Sequence, residues 1–166
     1  AYGMAEATLA ISFDRLDRPF RSITIDREAY EAEHIAVPLE GEGIELVSCG
    51  GTFPGHEVRV MNEQGGFAED GQVGELVMRG PSVTRGYFDN EDATTALLKD
   101  DWLHTGDLGF VHDGEVYVSG RQKDLVILNG RNYYPQSIEW EIEQVKGVRR
   151  GNVVAFSVPG TSSEEL

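Results

Sequence analysis

Apolar and polar residues alternate most cleanly in the middle of the chain. In Glu57–Met61 (EVRVM), Val58 and Val60 fall on one side and Glu57 and Arg59 on the other, the period of a half-buried strand. The turn cluster NEQGG follows, and GELVMRG (Gly74–Gly80) predicts a second short strand between glycines. Leu108–Gly120 (LGFVHDGEVYVSG) predicts a β-hairpin, because Asp113-Gly114 can take the positive φ angles of a two-residue turn. Val126–Tyr134 (VILNGRNYY) repeats the device around Asn129-Gly130. A short helix is predicted after Asn90, with Glu91 and Asp92 in its first turn and Lys99 in its last. A second helix starts at Pro135, carries Ile138, Ile142 and Val145 on one face and stops at Gly147. Asn152–Val158 (NVVAFSV) reads as a buried strand, and residues 14–45 read as a charged, poorly periodic excursion.

The pattern changes near Gly120-Arg121. Before it lies an antiparallel β unit, and after it the opening β-hairpin–α–β of an α+β domain. The expected fold is therefore mixed α/β, with a boundary at Arg121 separating residues 1–121 from 122–166.

Composition narrows the classes of function. The 166 residues carry 14 Lys plus Arg against 29 Asp plus Glu, a net charge of −15, which argues against a nucleic-acid binder that must neutralise phosphates. No apolar run reaches the roughly 18–20 residues of a membrane helix, and the first residues carry no secretory signal. Cys49 is the single cysteine, which excludes an internal disulfide and a cysteine-rich zinc site; it reads as a small hydrophobe before a glycine turn. His34, His56, His104 and His112 show no ligand spacing. The expectation is a cytoplasmic protein with no nucleic-acid partner and no membrane span. The first residue is not Met and the last residues are SSEEL, from which a piece of a longer chain is expected.

Four motifs carry candidate chemistry: YGMAEAT (Tyr2–Thr8), ELVMRGPSVTRGYF (Glu75–Phe88), WLHTGDLG (Trp102–Gly109) and GRQKDLVILNGRNYYPQSIE (Gly120–Glu139). Singly they are bland, since TGD and NG are turn sequences first. In this order and spacing the chain resembles the adenylate-forming superfamily of acyl-CoA synthetases, adenylation domains, luciferases and fatty acyl-AMP ligases. The resemblance implies an enzyme that joins a carboxylate to the α-phosphate of ATP. It implies that residues 1–121 are the end of a large domain, including a distorted-barrel β subdomain, and that 122–166 begin a small mobile domain. Tyr2, Gly3, Met4, Ala5, Glu6, Asp107 and Arg121 would bind ATP and acyl-AMP. Tyr2 would offer its face to adenine, Glu6 a hard oxygen to Mg²⁺, Asp107 acceptors to the ribose hydroxyls and Arg121 a forked cation. Glu6 and Arg121 would be the catalytic pair, Lys123 the hinge, and Gly130 part of a loop near a carrier's pantetheine arm.

Ala5 stands where many members have Thr. YGMAEAT, GRNYYPQSIE and the long excursion point to the fatty acyl-AMP ligase branch, with a long-chain fatty acid as substrate and an acyl carrier protein as acceptor. An acyl-CoA synthetase or an amino-acid adenylation domain is the alternative within enzymes; a non-catalytic acidic β-rich interaction module is the alternative outside them. The family's phosphate-gripping loop and late lysine do not occur in the sequence, so the chain alone is expected to be inactive.

Overall fold

The computed structural model describes residues 1–128, 131–159 and 164–165. Chain order begins with β1 (Ser12–Phe13), β2 (Ser22–Ile25), β3 (Ile44–Val47) and β4 (Gly51–Thr52), in which β1 pairs with β4 and β2 with β3, both antiparallel. The main sheet follows, from β5 (Glu57–Met61), β6 (Gly74–Arg79), β7 (Leu98–Lys99), β8 (Trp102–His112) and β9 (Glu115–Arg121). β6 lies between β5 and β8, and all pairings are antiparallel. Leu76, Val77 and Met78 are fully buried in succession, so β6 is covered on both faces and its alternation is overridden at the centre of the sheet. Three apolar clusters form the core, around Phe110 and Tyr117, around Met78 and Leu103, and around Val60, Leu76 and Val116. The result is the expected mixed α/β fold, dominated by an antiparallel half-barrel.

β8 organises this sheet. One edge pairs with β6; the other pairs with β7 at Trp102 and Leu103 and with β9 from Asp107 to His112. Residues 104–106 lie in the gap between those two partners. Asp113 and Gly114 close the β8–β9 hairpin with φ of 50° and 75°, as their sequence predicts. The β7–β8 hairpin turns on Asp100 and Asp101, at φ 50° and 66°, an Asp-Asp pair that does not advertise a turn as Asn-Gly does.

The excursion is ordered. Besides β2 and β3 it contains a π-type helical turn, Ala29–Glu33, whose Tyr30 is buried. Charge holds it to the hairpin: the buried Glu115 carboxylate pairs with Arg18 (2.8 Å) and Arg21 and accepts the Ser48 hydroxyl at 2.8 Å. Part of the charge of this excursion is thus turned inward.

Helix α1 (Glu91–Leu97) is capped by Asn90, whose Oδ1 accepts the Ala93 amide at 3.0 Å. It stops at Leu97, and Lys99 belongs to β7 instead of the last helical turn, because Leu98 is already extended and pairs with Leu103. β10 (Val126–Leu128) and β11 (Arg131–Tyr133) pair as the sequence predicts; their turn, Asn129 and Gly130, lies outside the described residues. Helix α2 (Pro135–Glu143) begins with Pro in its first turn, and Gly147 takes φ 103° beyond its end. Ile142 and Val145, read on one helical face with Ile138, are exposed. Asn152–Val158 is not a buried strand: 152–157 pair with no described strand, and Val154 and Phe156 are 76% and 63% exposed. The Ala155 amide goes instead to the Glu139 carboxylate at 2.9 Å. Among the described residues, Val158–Pro159 pairs with Glu164–Glu165. Among the described residues, no helix is long and apolar enough to cross a membrane.

Candidate active site

The first motif folds back on itself. Tyr2 bridges to Ser12 through its amide (3.0 Å), and Ala5–Ala7 form a 3₁₀ turn that buries Ala7. A Cβ at Gly3 would fall 1.6 Å from the Leu9 carbonyl oxygen, so only glycine allows this return. The turn carries Glu6. Its backbone carbonyl accepts the Thr84 amide at 2.8 Å, and its Oε1 accepts the Tyr87 hydroxyl at 2.6 Å. The Glu6 carboxylate beside Tyr87 raises the phenol's pKa. No described Arg or Lys pairs with Glu6.

Asp107 stands at the edge of the gap in β8. Its register partner on β9 is Arg121, whose Nε lies 3.3 Å from Oδ1, while Oδ2 accepts the Tyr2 hydroxyl at 2.7 Å. Tyr2 does more than present a ring. It packs between two of the core clusters and does not line the cleft described next; burial, reinforced by Asp107, drives its phenol far above the usual range, so it donates at any ordinary pH. The gap itself is held by side chains. The Glu75 carboxylate accepts the Gly106 amide (3.0 Å) and contacts His104 Nδ1 (2.8 Å); Thr105 Oγ1 donates to the Leu76 carbonyl (2.6 Å) and accepts the Asp107 amide (3.0 Å). Gly106 takes φ 70°.

A cleft of about 510 Å³ joins these parts. Gly3, Met4, Ala5 and Glu6 line one side, and Thr105, Gly106, Asp107, Arg121, Gln122 and Lys123 the other. All the predicted nucleotide residues except Tyr2 therefore meet at one cleft. Arg121 is largely exposed there and caps the 3₁₀ turn Gln122–Asp124, in which Lys123 is exposed. Gly130 lies outside the described residues. Sequence reasoning gave no role to Glu75, Tyr87, Thr105 or Gln122. Glu75 and Tyr87 sit inside the second motif, but only the pairing of β6 with β8 and the return of the loop onto Glu6 show what they hold.

The donor set fits a nucleotide with a hard divalent cation. A carboxylate offers about four acceptor sites, and Tyr2 and Arg121 occupy two on Asp107, which leaves acceptors for a diol. Glu6 lines the cleft with no cationic partner among the described residues, and Mg²⁺ binds through one or two carboxylates together with substrate phosphates.

The comparisons with known proteins place this cleft among adenylate-forming ligases. The chain belongs to the AMP-binding enzyme family, whose profile matches residues 1–88. It is 42% identical over 172 residues to a protein of Caulobacter vibrioides that carries the name acyl-CoA synthetase, covering all of this chain and 30% of that one. It is 37% identical over 183 residues to JamA of Moorena producens, a medium-chain-fatty-acid–[acyl-carrier-protein] ligase, again covering all of this chain and 30% of the relative. Among solved structures it is similar to one from work on fatty acyl-adenylate ligases of E. coli and L. pneumophila, with TM-score 0.86, 34% identity, and coverage of 98% of this chain and 30% of that chain. The chain thus spans about a third of the length of these proteins.

Proposed function

We propose that this chain is part of an ATP-dependent ligase that activates a fatty acid as an acyl-adenylate and passes the acyl group to the pantetheine thiol of an acyl carrier protein. In the first step a carboxylate oxygen bonds to the α-phosphorus of ATP and the bond to pyrophosphate breaks. In the second, the carrier's sulfur bonds to the acyl carbon and AMP leaves. The observation that carries the reading is the convergence of Glu6, Asp107 and Arg121, from three separate motifs, on one cleft. Asp107 accepts the ribose hydroxyls, held in place by Tyr2. Arg121 presents its guanidinium to ribose or α-phosphate oxygens. The backbone of Gly3, Met4 and Ala5 forms the wall beside the nucleotide, and Ala5 brings no hydroxyl to the phosphate. Tyr2, expected to offer its face to adenine, packs between core clusters outside the cleft and in this reading acts through Asp107. Glu6 holds Mg²⁺, which when bound supplies neutralisation of the phosphate charge. Catalysis is positioning and charge stabilisation around an in-line displacement.

In this reading residues 1–121 close the large domain, 122–166 open the small one, and Lys123 is the pivot. Gly130 belongs to the loop that meets the carrier's pantetheine. The chain by itself, a third of its relatives' length, sustains no ligation. The test uses the full-length enzyme that contains this segment. Fatty acids should support pyrophosphate exchange into ATP, and Asp107→Ala should reduce that exchange at least about 100-fold. Exchange driven by amino acids and not by fatty acids would overturn the reading. A free-CoA acceptor is the second reading, favoured by the name of the Caulobacter relative. Offering CoA and a carrier protein side by side separates the two.

A further inference from the structure

The Tyr87–Glu6 bond asks for an explanation that the reading above does not give. We propose that Tyr87 is a positioning residue that presents the Glu6 carboxylate to a divalent cation while leaving its charge intact. The inference rests on the reading of Glu6 as the cation's carboxylate.

Glu6 is anchored at both ends to the loop after β6. The Thr84 amide holds its carbonyl (2.8 Å), Thr8 Oγ1 donates to the Ser82 carbonyl (2.9 Å), and the Tyr87 hydroxyl holds Oε1 (2.6 Å). Tyr87 is itself fixed to α1. Its amide donates to Thr94 Oγ1 at 2.9 Å, and Thr94 Oγ1 donates to the Asn90 carbonyl at 2.8 Å. Gly86 lets the loop lie this close: a Cβ there would meet the Thr94 side chain at 2.5 Å, and its φ is 135°. A glutamate left alone samples many rotamers and loses that freedom when a ligand orders it. A phenol on a loop whose backbone is tied to α1 restricts the Glu6 carboxylate before the ligand arrives.

The choice of donor matters. An arginine or lysine at this place would orient Glu6 equally well and cancel its charge. A phenol is a neutral donor, so it brings no positive charge to the carboxylate and leaves Oε2 for the cation. Tyr87 does not line the Glu6 cleft; it lines the adjoining depression with Lys99, His104 and Gln122. It therefore acts through Glu6 and not on the substrate. Groups one bond removed from a metal commonly change its affinity 10- to 100-fold.

The experiment is a Mn²⁺ titration, followed by electron paramagnetic resonance, of the full-length enzyme with a non-hydrolysable ATP analogue. Affinity for the analogue is measured separately in EDTA. Tyr87→Phe should weaken Mn²⁺ binding about 10-fold and leave metal-free analogue affinity within about two-fold, while Tyr87→His, which can still donate, recovers part of the loss. Tyr87→Phe retaining wild-type Mn²⁺ affinity, while Glu6→Gln loses it, overturns this inference alone. Equal losses of Mn²⁺ and metal-free analogue affinity in Tyr87→Phe also overturn it, because they mark a general structural role. Wild-type Mn²⁺ affinity in Glu6→Gln overturns the reading of Glu6 and this inference with it.

Discussion

The phenols of Tyr2, Tyr30 and Tyr134 and the thiol of Cys49 shape the protein's response to base. Burial is the main cause that pushes Tyr2, Tyr30 and Tyr134 up. In the unfolded chain each ionises near its ordinary value of about 10. Above that pH the unfolded state releases protons that the folded state retains, so their contribution is complete below about pH 10 and is lost as pH rises further. Burial raises the Cys49 thiol as well, so melting temperature should begin to fall near pH 9 and fall more steeply above about pH 10. Tyr30→Phe should fall less steeply; an unchanged alkaline limb would refute this account. The Tyr30 hydroxyl is buried beside Tyr134 Oη and Ser119 Oγ, and the three interact only with one another, in poor hydrogen-bond geometry, among the described residues. Its removal should leave stability at neutral pH unchanged within about 1 kcal/mol. Tyr2→Phe differs, because it strips Asp107 of a donor. It should weaken nucleotide binding by about 1 kcal/mol while the fold persists, measured as a shift in analogue affinity of the full-length enzyme.

At the scale of elements, the excursion and the β8–β9 hairpin stand or fall together. Glu115→Gln should cost about 2 kcal/mol in denaturant unfolding, less than a fully buried pair because Arg21 is half exposed, and should loosen residues 18–21 first. A loss under about 0.5 kcal/mol would make the network incidental. Gly109→Ala should be worse, because the new Cβ would fall 2.1 Å from the Tyr117 carbonyl oxygen across the hairpin. The strands were legible where local chemistry announces them: the alternation of Glu57–Met61, the Asp113-Gly114 turn, the Asn90 cap. β2 and β3 were not, because each has four residues, their partners are distant in sequence, and the charges between them look like solvated surface. Asn152–Val158 failed in the opposite way. Its composition favours a strand, but a strand needs a neighbour for its backbone, and 152–157 have none among the described residues. The site divides along the same line. Glu6, Asp107 and Arg121 were readable from motifs, whereas Glu75 and Tyr87 act through contacts that only pairing and loop closure create.

For the whole molecule, the contact across Arg121 matters most. Tyr134, just beyond β11, packs against Tyr30 with ring centroids 4.9 Å apart, and Asn132 meets His34 at 3.2 Å. If residues 122–166 turn about Lys123, as proposed, this surface must part. Lys123→Pro in the full-length enzyme should then slow acyl transfer more than adenylate formation, and equal losses in the two half-reactions would sink the hinge. The gap along β8 has its own consequence, for the speed at which backbone protons trade with water. Most amides of the main sheet are sheltered by a neighbouring strand and exchange only when the sheet opens. The Gly106 and Asp107 amides are sheltered by two side chains, Glu75 and Thr105. Glu75→Ala should therefore bring deuterium into Gly106 early while Leu103 and Phe110 remain slow. In the intact protein the same amide should become a local clock for the cleft, slowing when a ligand settles there and quickening when it departs.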